Sequence, residues 1–124
     1  MNLNQATLNV TDFQRSVDFY TTLGLKLIVS ARGEYARFEC EGGATLSLHL
    51  GEAPEGNGPM LYFECDDLDP RVERLKAEGI AFDSEPEDQP WLWREARLSD
   101  PDGNRLCFYH AGQNRRFPPW RIPD

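Results

Sequence analysis

The sequence says nearly the same thing twice, and this repetition limits its possible folds more than any other feature. An apolar run from Ala6 to Val10, an acidic stop at Asp12, a helical pattern and Gly24 recur as Met60 to Cys65, Asp67, a second helical pattern and Gly79. Twelve positions separate Asp12 from Gly24 and twelve separate Asp67 from Gly79, at a constant offset of 55 residues. A repeat longer than about 50 residues that occurs only twice is no solenoid, which needs about three units to bury its faces. It predicts two half-modules, about 1–52 and 59–112, within a single domain spanning 1–124, with a C-terminal arm at 113–124.

A chain of 124 residues is long enough to bury a core without disulfide or metal staples. Thirteen basic against 21 acidic residues give a net charge of -8, which repels phosphate backbones and anionic lipid, so no nucleic-acid partner is expected. No basic leader and no apolar run approaching the roughly 18 residues of a membrane span is visible, so a soluble, unprocessed protein away from the membrane is expected. Cys40, Cys65 and Cys107 are odd in number and each sits in a strand-like run, as core thiols in a reducing, cytoplasmic setting would.

In the first half, Asp12 or Thr11 caps a helix whose apolar positions Phe13, Val17, Tyr20 and Leu23 share a face, with Gln14 completing a capping box from Thr11. Gly24 stops it. Strands follow at Leu25 to Val29, Tyr35 to Cys40 and Ala44 to Leu50, reversed at Arg32-Gly33 and Gly42-Gly43. The run Gly51 to Pro59 is all turn residues and reads as the linker. In the second half, Asp69 as N-cap before Pro70 opens a helix with the stripe Leu68, Val72 and Leu75, ending at Gly79. A short strand at Ile80 to Phe82, a loop from Ser84 to Pro90, and strands at Trp93 to Leu98 and Arg105 to Tyr109 complete it. The last two are joined by the turn Asp100 to Asn104.

The order is strand, helix, three strands, written twice. Strands and helices do not alternate as a doubly wound sheet requires, so the fold class is α+β: tandem βαβββ modules whose mixed sheets face one another as a cup. The inner face of such a cup is the natural place for a ligand.

At this point the chain resembles the vicinal oxygen chelate superfamily, which includes glyoxalase I, extradiol dioxygenases, fosfomycin-resistance enzymes and bleomycin-resistance proteins. The resemblance is carried by Val10-x-Asp12-Phe13-x-x-Ser16-x-x-Phe19-Tyr20 with Leu23-Gly24, then Phe63 to Asp67 with Leu75-x-x-x-Gly79, then Asp100 to Asn104. It implies paired βαβββ modules forming a cup, often completed by a homodimer. Metal-dependent members place histidine on the first strand of each module and glutamate on the last. The corresponding positions here are Gln5, Met60 and Cys107, with Ser47 at a further acidic position. This set lacks the imidazole and carboxylate donors that a divalent ion needs, so neither metal nor cofactor is expected.

Candidate site residues follow from strand parity. His49 shares the polar face of its strand with Ser47, either as a general base or ligand-orienting donor, or as a rim histidine. Met60, Tyr62 and Glu64 alternate onto one face, where a buried Glu64 would move a proton; a structural carboxylate is the preferred alternative. Cys107 and Tyr109 line the same cup, Cys107 as a core thiol because nothing nearby would lower its pKa, and His110 points away. Trp91 and Trp93 either wall a flat organic ligand whose anionic group is held by Arg94 or Arg97, or cover a dimer seam. Arg115, Arg116, Phe117 and Trp120 either clamp the cup or a partner subunit, or simply pack the arm. The leading expectation is a metal-independent protein that binds a small organic molecule in the cup. The alternative is a lyase or isomerase, metal-free with His49 or Glu64 as catalytic base, or using an unusual metal set of His49, Glu64 and Cys107.

Overall fold

The computed structural model describes residues 1–56 and 58–124; of the expected linker Gly51 to Pro59, Asn57 lies outside the described residues. The chain forms two compact units, Met1–Gly58 with Asp100–Asn104, and Pro59–Ser99 with Arg105–Asp124. Each holds one copy of the repeat.

In the first unit, β1 (Gln5–Val10) leads into α1 (Phe13–Leu23), then β2 (Lys26–Ala31), β3 (Tyr35–Glu39) and β4 (Thr45–Leu50). The sheet order is β1-β4-β3-β2: β1 pairs parallel with β4, and the other pairs are antiparallel. First and last strands can lie parallel because α1 and two strands supply the long crossover that parallel pairing requires. Alternation then sorts the side chains. Leu8, Val10, Ala36, Phe38, Leu46 and Leu48 are buried on one face, where they join Val17, Tyr20 and Leu23 of α1.

Asp12 caps α1 by accepting the backbone N–H of Arg15. The capping box expected from Thr11 does not form. Thr11 gives its N–H and its hydroxyl to Asp102, while Gln14 donates to Asp18 one turn on. Gly24 stops the helix at φ 106°, the left-handed conformation that an L side chain resists. Arg32 and Gly33 take successive positive φ values and Glu34 N–H returns to Ala31 O, the two-residue reversal that joins β2 to β3.

The second unit repeats the plan with β5 (Met60–Glu64), α2 (Leu68–Ala77), β6 (Glu87–Asp88), β7 (Arg94–Ser99) and β8 (Arg105–His110), in the order β5-β8-β7-β6. Leu68, Val72 and Leu75 of α2 and Ala96, Leu98, Leu106 and Phe108 of the sheet are buried. Two expectations are corrected here. The helix begins at Leu68, after Asp67, so Asp69 and Pro70 lie inside the first turn, where a missing N–H costs no helical hydrogen bond. Residues 80–82 form no strand: Ile80 N–H closes the helix end on Leu75 O, and Phe82 packs its ring edge on Phe108. The fourth strand is instead Glu87–Asp88, inside the segment expected to be a loop, paired to Glu95 and Arg94.

The turn Asp100–Asn104 forms as expected, and it belongs to the first unit. Asp100 accepts the N–H groups of Asp102 and Asn104, the Asn104 side-chain amide and the Tyr20 hydroxyl at 2.7 Å. Burial beside this carboxylate drives the Tyr20 phenol far above its ordinary range.

Candidate functional site

In the second unit, the sheet face opposite Leu106 and Phe108 carries its polar and aromatic side chains in cross-strand rows. Tyr62, Cys107 and Arg97 stand in one row; Glu64, Tyr109 and Glu95 stand in the next. Tyr109 and Trp93 stack at 4.6 Å with 20° between planes, and Tyr62 meets both rings edge-on at 5.7 and 5.9 Å. These are the arrangements that ring quadrupoles favour. Cys107, Tyr109 and Ala111 are buried together, with Met60 and Trp93 packed against them, while Tyr62 is 49% exposed.

Beside the rings lies a carboxylate not singled out by the sequence reading. Glu95 is 3% exposed; it accepts the Trp91 indole N–H at 2.7 Å and one N–H of Arg97 at 3.2 Å. Parity held the signal, because Leu98 and Ala96 face the core and so turn Glu95 and Arg97 to the other side. The same parity places Arg94 on the helix side. There it is bidentate to Asp69 of α2 and reaches Asp88 of β6, so it clips three elements together, away from the rings. Arg97, not Arg94, is the cation on the aromatic face.

The two tryptophans flank a strained residue. Leu92 has φ 68°, and its N–H closes a turn on Gln89 O. Trp91 then reaches Glu95, while the Trp93 indole donates to Asn114 O and anchors the start of the arm. Glu64 is on the expected face, but its side chain keeps 32% exposure, and one oxygen accepts the N–H groups of Ala111 and Gly112 at 2.7 and 3.0 Å. It holds the chain that leaves β8. The Cys107 thiol is pushed up to about 12, chiefly by burial and then by the Glu95 charge. Burial and Glu64 likewise push the Tyr109 phenol up.

In the first unit, the face opposite Leu46 and Leu48 carries Ser47 and His49. Ser47 is fully buried there, within 2.8 Å of the Tyr35 hydroxyl, which also accepts the Nε–H of Arg37 at 2.9 Å. His49 is exposed and stands opposite Tyr35 in register. Tyr35 and Arg37 were absent from the sequence-derived candidates, although their spacing to either side of Ala36 already gives them one face.

At the positions that the sequence resemblance implies for metal ligands, the side chains are otherwise engaged. Gln5 accepts the Thr45 hydroxyl, Ser47 is engaged with Tyr35, Met60 packs as an apolar group, and Cys107 is held as a neutral thiol. Neither unit gathers three His, Cys, Asp or Glu side chains into a ligand set among the described residues.

Two four-stranded mixed sheets, each with one helix and the strand order 1-4-3-2, define a paired βαβββ protein. The chain belongs to the Glyoxalase/Bleomycin resistance protein/Dioxygenase superfamily, which it matches over residues 2–108. It is 32% identical to the uncharacterized protein YraH of Bacillus subtilis (strain 168), over 88% of this chain and 98% of that one. Its structure is similar to that of a glyoxalase/bleomycin resistance protein/dioxygenase from Nocardioides, with a TM-score of 0.80 and 28% identity over 99% of this chain and 90% of that one. A lactoylglutathione lyase from Agrobacterium tumefaciens shares the fold at a TM-score of 0.75 and 19% identity, over 90% of this chain and 94% of that one. No helix among the described residues is long and apolar enough to cross a membrane.

Proposed function

We propose that this protein binds a flat organic molecule bearing an anionic group on the aromatic face of its second unit, without a metal. One observation carries the reading. Tyr62, half exposed, stands edge-on to a stacked Trp93–Tyr109 pair, and Arg97 is its neighbour across Cys107 in the same sheet row. A half-exposed ring backed by a stacked aromatic pair, beside a guanidinium, suits a planar ligand with a carboxylate at one end. Arg97 gives one N–H to Glu95 and has further donors in its fork. The alternative, a lyase or isomerase with Glu64 as base, would have to free a carboxylate already engaged by two backbone N–H groups.

Titration with 2-naphthoate, followed by tryptophan fluorescence, tests the proposal. Saturable quenching is expected, weakened roughly tenfold in Arg97→Gln, the scale of one lost charge-assisted hydrogen bond, and unchanged in Arg94→Gln. Absence of saturation, or equal loss in the two variants, sinks it.

A further inference from the structure

The first unit holds a second group of side chains that the aromatic face does not use. Arg37 is half-buried on β3, and among the described residues no carboxylate stands within ion-pair distance of it. Its Nε–H goes to the Tyr35 hydroxyl, and its guanidinium carbon lies 5.5 Å from that ring. Arg71, Arg94, Arg97, Arg115 and Arg121 each face a carboxylate, whereas the partner of Arg37 is a phenol held by a fully buried serine. Half-buried charge without a counter-ion is costly unless something supplies the opposite sign.

The surroundings are preorganised. Register sets Arg37 directly opposite Ser47 and Tyr35 opposite His49, so one patch of β3 and β4 presents a guanidinium, a phenol, a hydroxyl and an imidazole. Ser47 is fully buried and fixes the phenol from one side while Arg37 fixes it from the other. Glu39 and Lys26 stand opposite Thr45 and Glu39 respectively along the same sheet, and neither carboxylate nor ammonium is paired with this group. The hydrogen bond shared with Ser47 and the one received from Arg37 also bring the Tyr35 phenol below its ordinary range.

We infer that Arg37, Tyr35 and Ser47 form an oxyanion-binding site on the first unit, which takes the carboxylate or phosphate group of a small molecule through the free N–H groups of Arg37 and the Tyr35 hydroxyl. Bidentate recognition of a planar carboxylate or a phosphate is what the guanidinium fork does best. Its residues belong to the first unit, and none of them is among those of the aromatic face.

Acetate and inorganic phosphate, which carry no ring for the aromatic face to hold, serve as separate probes of the two chemistries. Protein labelled with ¹⁵N-arginine and ¹³C-tyrosine gives two reporters, the Arg37 Nε–H and the Tyr35 ring. A saturable shift of both reporters is expected with at least one probe, over and above that caused by chloride at equal ionic strength. Arg37→Gln, read on Tyr35, should weaken binding roughly tenfold or more, and Tyr35→Phe, read on Arg37, by several-fold. Arg97→Gln should leave both responses intact, even if it abolishes naphthoate binding. Shifts no larger than those from chloride, or binding that survives in Arg37→Gln, overturn the inference. Thermal melts of both variants verify that the fold is retained, and since the two variants fail independently, one folded variant suffices.

Discussion

Asp100 is nearly solvent-free, and every donor around it comes from its own turn except one, the hydroxyl of Tyr20. The turn itself was legible in Asp100-Pro101-Asp102-Gly103-Asn104, because each residue has a local reason to be there. Its partner 80 positions away was not, since a long-range hydrogen bond leaves no periodicity. Tyr20→Phe keeps the ring against Phe38 but removes the donor from a buried carboxylate. It should cost about 1–3 kcal/mol in urea denaturation, the penalty for leaving a buried acceptor short of a partner. A change within error would mean that water replaces the phenol and that the contact is incidental. The same limit explains why Glu95 escaped notice: its value lies in Trp91 and Arg97 being near, which only the folded strand brings about.

At the scale of elements, both helices and seven of the eight strands were readable to within a residue or two, because α1, α2 and the central strands bury alternating or helical apolar stripes. It failed at β6, where pairing is through backbone at a sheet edge and the side chains are acidic, so no apolar period marks it. Residues 80–82 show the converse: an apolar run that pairs with no strand, of which Phe82 sets its ring against Phe108. The repeat also conceals a difference in chemistry. Asp12 caps α1 through Arg15 N–H, whereas Asp67, at the equivalent position, makes no cap and instead accepts Arg71 Nε. Asp12→Ala should therefore destabilise the fold by about 1 kcal/mol, and Asp67→Ala by clearly less, in parallel denaturation curves. Equal losses would show that the two aspartates act through helix charge rather than through the cap.

For the whole molecule, buried titratable groups set how stability responds to alkali. Burial pushes the Cys65 thiol up to about 11 and the Cys107 thiol up to about 12, from an ordinary value of 9.0, and raises the Tyr20 phenol as well. Each is a group whose protonated form the folded state prefers. Below pH 9 folded and unfolded chains both hold these protons, and the stabilisation is fully present. Between about 9 and 12 the unfolded chain releases them while the folded chain keeps them, so stability falls as pH rises. A net charge of -8 that grows more negative in alkali acts in the same direction through self-repulsion, so the wild-type curve alone does not separate the causes. The double variant Cys65→Ala, Cys107→Ala does. It should be less stable at pH 7, because two buried side chains shrink, yet lose less of its remaining stability between pH 8 and pH 11 in urea titrations. Parallel curves would assign the alkaline loss to surface charge and leave the thiols as packing groups only.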